Sequence, residues 1–156
     1  YGWRGFWWIL KNNMQNIISL FKNMNVEDYF DIVEETTRVD SNNIEDSLVK
    51  QSSIYASFST MACIARSDME KANRELERFA SMTRKQIKNE TPSKMTAKDL
   101  DDAVFSEPQY DDYFDKYQEA KKKYEFLKGL VVALSHKKDM LVQLSSHQRE
   151  EKKLYS

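Results

Sequence analysis

From Ser41 to Thr91 the chain carries neither glycine nor proline. Strands folded on one another need corners, and corners need residues that reach positive φ or fix it. A run this long without them has to be spent on one continuous helix. The three glycines are Gly2, Gly5 and Gly129 and the two prolines are Pro92 and Pro108, so the only evident break in the middle of the chain lies between Asn89 and Pro108. The expected fold is all-α: a long two-helix hairpin with short accessory helices.

Capping residues set the expected boundaries. Asn25, with Asp28 three positions on, opens a short acidic helix from Val26 to about Thr37 whose apolar face reads Val26, Phe30 and Val33. Asp40, Ser41 and Asn42 cap the first long helix, expected over about 42–89, with Glu45 and Asp46 in the first turn where the helix dipole favours them. Thr96 and Asp99 form a capping box for a short helix to about Phe105, after which Ser106 and Pro108 start the second long helix, expected over about 108–148.

Both long helices show coiled-coil-like heptad spacing. Leu48, Gln51, Tyr55, Phe58, Ala62, Ala65, Met69, Ala72, Leu76 and Phe79 follow alternating steps of three and four. Tyr113, Tyr117, Ala120, Tyr124, Leu127, Val131, Leu134 and Leu141 do the same, with Lys138 interrupting the row at a place where a polar residue can set register. A hairpin buries one stripe of each rod and leaves Ile64, Phe114, Leu130 and Val132 wet, so self-association is expected, with Leu127, Val131, Leu134 and Leu141 as the subunit core.

The organisation is then a helical domain over 24–156 preceded by an atypical segment over 1–23, where Trp3, Phe6, Trp7, Trp8, Ile9 and Leu10 crowd beside Arg4 and Lys11. That segment reads as a tag, as translation upstream of a natural start at Met14 or Met24, or as an interfacial helix; its apolar run is too short to span a bilayer, and no membrane partner is expected. The single cysteine, Cys63, lies between Ala62 and Ile64 and is expected to be a small buried hydrophobe in a reducing compartment.

Little catalytic chemistry is available. No pair of glycines stands in a phosphate-binding loop, no serine in a nucleophile elbow, and His136 and His147 are too far apart along a helix to share a metal. The pairs Asp101-Asp102 and Asp111-Asp112 read as solvated acidic helix ends. The expectation is a protein that is not an enzyme and holds neither cofactor nor metal. Charge is more informative: the net charge is −1, yet Arg66, Lys71, Arg74, Arg78, Arg84, Lys85 and Lys88 recur along the first long helix, with Lys94 beyond it. Glu70, Glu75 and Glu77 interleave the first part, whereas from Arg84 to Lys88 no acid intervenes. Arg78, Arg84, Lys85, Lys88 and Lys94 are therefore the candidate phosphate-binding residues. Lys121, Lys122, Lys123 and Lys128, near Tyr117 and Tyr124, form a second basic and aromatic patch.

From Val39-Asp40-Ser41 through Tyr55, Met69-Glu70 and Arg84-Lys85 to Tyr113, Leu127 and His136-Lys137-Lys138-Asp139-Met140, over about residues 25 to 145, the order of elements resembles the recombination mediators of large tailed phages, the UvsY type. The resemblance implies a homo-oligomeric ring that binds single-stranded DNA. It also implies a role in loading a RecA-like recombinase against the single-strand-binding protein during DNA recombination, repair and replication, in the cytoplasm of the infected bacterial host. It places DNA at Arg84, Lys85 and Lys88, where this chain lacks the aromatic neighbours that would stack on bases. The alternative is a coiled-coil structural or assembly protein of a phage particle.

Overall fold

A computed structural model describes residues 26–91 and 94–155. It has four helices: α1 (Val26–Thr37), α2 (Ile44–Glu90), α3 (Ala97–Phe105) and α4 (Pro108–Leu154), and no strand among the described residues. The segment over 1–23 and the expected cap at Asn25 lie outside the described residues. The chain divides into two compact units, the first ending at Met61 and resuming at Lys128, the second running from Ala62 to Leu127.

In the first unit α1 and parts of α2 and α4 enclose Ile32, Ile44, Phe58, Met61, Leu130, Leu134 and Leu141, all buried. Three polar residues, Thr36, Gln51 and Lys137, enter this core. Gln51 Nε2 donates to the Leu134 carbonyl at 2.7 Å, joining the two long helices, while its Oε1 is left without a partner. Lys137 Nζ donates to the Thr36 carbonyl at 2.8 Å. That carbonyl belongs to the last turn of α1, which has no basic residue of its own, so Lys137 supplies both the missing donor and the positive charge that a helix C-terminus favours. Burial lowers the Lys137 pKa from its ordinary value, and Glu35 partly opposes this. Upstream of α2, Asp40 Oδ1 accepts the Asn42 N–H at 2.9 Å, so Asp40 organises the turn before the helix, which begins at Ile44.

Three expectations need correction here. The face that α1 buries is that of Ile32 and Thr36, whereas Phe30 is 71% exposed. Thr36 can be buried because its hydroxyl donates to the Ile32 carbonyl at 2.6 Å and leaves its methyl for packing. The lysine that enters the core row of α4 is Lys137; Lys138 is exposed and pairs with Asp139. In step with it, Leu130 is buried and Val131 only half-buried, so the inward row is Leu130, Leu134, Lys137 and Leu141. Cys63, finally, is exposed: it stands two positions from both Met61 and Ala65, which are buried, and two helical steps turn a side chain about 200° away.

In the second unit the core residues are Ala65, Leu76, Ala80, Leu100, Val104 and Leu127. Phe79 of α2 stacks on Tyr113 of α4 with centroids 4.9 Å apart. The capping box of α3 is formed: the Thr96 hydroxyl accepts the Asp99 N–H and the Asp99 carboxylate accepts the Thr96 N–H, each at 3.2 Å. The Thr96 hydroxyl, donating to the carboxylate at 2.6 Å, and then the Thr96 N–H lower the Asp99 pKa. Ser106 ends α3 by donating its N–H to the Asp102 carbonyl, and Pro108 occupies the first position of α4, where its missing N–H costs nothing.

Candidate nucleic-acid interface

Within the second unit, α2 buries Ala65, Leu76 and Ala80 on one side. Lys71, Arg74, Arg78, Lys85 and Lys88 are all exposed. At 3.6 residues per turn they fall inside a sector of about 100°, centred roughly opposite the buried row, and from first to last they span about 26 Å of axis. No ion pair involves any of the five among the described residues. The result is a stripe of uncompensated positive charge on the face of α2 turned away from the core.

The cations that interrupt this pattern are already engaged. Arg66 donates to Glu70 at 2.9 Å, a contact that raises its pKa and cancels its charge locally. Arg84, a central residue of the expected cluster, is half-buried and holds Asp101 of α3 through Nη2 at 2.7 Å and Nε at 2.9 Å. Its partner lies seventeen positions away, beyond the break, which is why the run from Arg84 to Lys88 reads as free of acid in sequence. Of the acids on the stripe's flanks, Glu70 is held by Arg66 and Glu77 accepts from Asn73 at 2.8 Å, while Glu75 is exposed about 40° round the helix from Lys71. Lys94, between α2 and α3, is exposed.

Arg78, Lys85 and Lys88 thus lie on one exposed face with Lys71 and Arg74, while Arg84 is held by Asp101. Of the second basic patch, Lys121 stands over the Tyr117 ring at 5.9 Å to its centroid, and Tyr113, lining the same helix, is spent on Phe79.

The residues expected to form a subunit core behave differently. Leu127, Leu134 and Leu141 are each 0% exposed within a single chain, and Val131 is half-buried. The chain's own packing uses them. Among the described residues no group of three or more His, Cys, Asp or Glu could hold a metal ion, and no helix is long and apolar enough to cross a membrane.

No family model, curated protein or solved structure matches the chain.

Proposed function

We propose that this protein binds single-stranded DNA as a recombination mediator, acting as a homo-oligomer, in a ring, that helps a RecA-like recombinase load in the infected host. The observation that carries the DNA-binding part is the stripe of Lys71, Arg74, Arg78, Lys85 and Lys88: five exposed cations at helical spacing with no ion pair to neutralise them. Charge aligned along one face of a helix suits a phosphate backbone, which is bound by contacts that are individually weak and independent of sequence. The recombinase, the single-strand-binding protein, the ring and the host cytoplasm come from the resemblance of the sequence to phage recombination mediators. Coiled-coil-like pairing of α2 and α4 fits the same reading.

The test replaces all five stripe residues by Gln and measures binding of labelled single-stranded oligonucleotides by fluorescence anisotropy. Affinity should fall together for oligonucleotides of unrelated sequence, with helicity unchanged. If the wild type ignores DNA at low salt, the stripe has another purpose and the structural or assembly role becomes the better account.

A further inference from the structure

A row of uncovered aromatic rings lies at the junction of α3 and α4. Phe105 ends α3, Tyr110 and Phe114 stand one turn apart on α4, and the short Ser106-Glu107 link between the helices places the rings in a row. The Phe105 and Tyr110 centroids are 5.1 Å apart and those of Tyr110 and Phe114 6.0 Å. Phe105 is 51% and Phe114 37% exposed. A contiguous aromatic row left in water marks an interaction surface.

Its rim is acidic. Asp102 on α3 and Asp111 on α4 each precede a ring by three positions on the same helix, and Glu107 of the link precedes Tyr110 by three; all three are exposed and without an ion pair among the described residues. From Asp99 to Asp115 the sequence holds no Lys, Arg or His; of the cations that reach this segment, Arg84 is spent on Asp101 and Lys116 stands over the Tyr113 ring at 5.4 Å to its centroid. Such a rim repels phosphate, so base stacking on the rings is disfavoured; it attracts a cationic segment that also carries apolar side chains.

The last turns of α4 offer such cations on one face: Arg149 and Lys152 lie about 60° apart round the helix, while Glu150 and Glu151 of the same turns lie about 100° or more from them. Arg149 and Lys152 are exposed, Leu154 is 82% and Tyr155 92% exposed. We propose that the end of α4 in one copy docks on the Phe105, Tyr110 and Phe114 row of a second copy, with Arg149 and Lys152 against Asp102, Glu107 and Asp111. The inference rests on the self-association of the proposed reading and gives it a surface, since Leu127, Leu134 and Leu141 are taken up inside the chain. Each copy presents both halves of the contact, so the contact is head-to-tail, and it closes a ring or extends a filament according to its rotation.

Sedimentation velocity of the full chain without DNA tests this. The wild type should self-associate, less so as salt rises. Asp102→Lys/Asp111→Lys and Arg149→Asp/Lys152→Asp should each weaken association about tenfold, the scale on which a few rim charges act together. Mixing the two variants should restore one complementary contact and yield a heterodimer. Phe105→Gln, at the exposed last residue of α3, should also weaken association, and circular dichroism checks each fold. If the acidic double variant fails to fold, the other two variants still decide. A monomeric wild type overturns both this contact and the self-association beneath it. Association that survives Phe105→Gln and both charge reversals overturns this contact alone. Loss on reversing the acids but not the bases shows another occupant and overturns the pairing. The DNA stripe is intact in all these variants, so anisotropy reports separately on the DNA-binding reading.

Discussion

Lys137 Nζ lies 2.8 Å from the Thr36 carbonyl, and the lysine that makes this contact is only 9% exposed. It is the point at which α1 is fastened to α4. Removing it by Lys137→Ala leaves a buried carbonyl short of a donor and should cost about 1–3 kcal/mol in urea unfolding at neutral pH.

The same lysine predicts a pH dependence. Its folded pKa is lowered from the ordinary 10.5, so between the two values the unfolded chain binds more protons than the folded one, and stability rises with pH through that window. Tyr29 acts in the opposite sense, because burial and Asp28 raise its pKa above 10.0 and stability is lost as pH climbs through the raised value. The difference between wild type and Lys137→Met isolates the lysine: the gain of the wild type below pH 10.5 should be missing from the variant.

Gln51 gives a prediction of opposite sign. Its Oε1 is buried without a partner, while its amide serves a helical carbonyl that needs no second donor. Gln51→Met has nearly the same shape and removes the orphan oxygen, so it should be neutral or stabilise by about 1 kcal/mol. A loss of more than that would show that a bound water satisfies the oxygen.

Leu134 is 0% exposed within one chain. Leu134→Ala should therefore destabilise folding by about 2–5 kcal/mol at any protein concentration. An effect that vanishes on dilution would return the residue to a subunit interface.

Arg84 and Asp101 are each more than a third exposed, so Arg84→Ala should cost only about 0–1 kcal/mol of stability. Because its guanidinium is held by Asp101, the same change should lower DNA affinity less than Lys85→Ala or Lys88→Ala.

What could be read in advance was what local chemistry decides. The capping box of Thr96 and Asp99, the start at Pro108 and the uninterrupted run of α2 depend on neighbours a few positions away. The burial of α1 was not legible, because Phe30 and Ile32 offer its twelve residues two apolar faces and only packing chooses between them. The phase of α4 was ambiguous for the same reason: Leu130 and Val131 are both apolar and Lys137 and Lys138 both basic, so a heptad row could be threaded through either member of each pair. The engagement of Arg84 depends on Asp101 across the break in the chain. The stripe was visible as a recurrence of Lys and Arg, but its separation from Arg66 and Arg84 required their partners.

The central claim is that the exposed face of α2 binds nucleic-acid backbone. The most direct measurement is the dependence of single-stranded DNA affinity on salt for the wild type and for the chain with Gln at Lys71, Arg74, Arg78, Lys85 and Lys88. With five phosphate contacts per chain, the logarithm of the binding constant should fall against the logarithm of salt with a slope of about −3.5, and the substituted chain should show a slope near zero. A wild-type slope that the five substitutions leave unchanged would contradict the account.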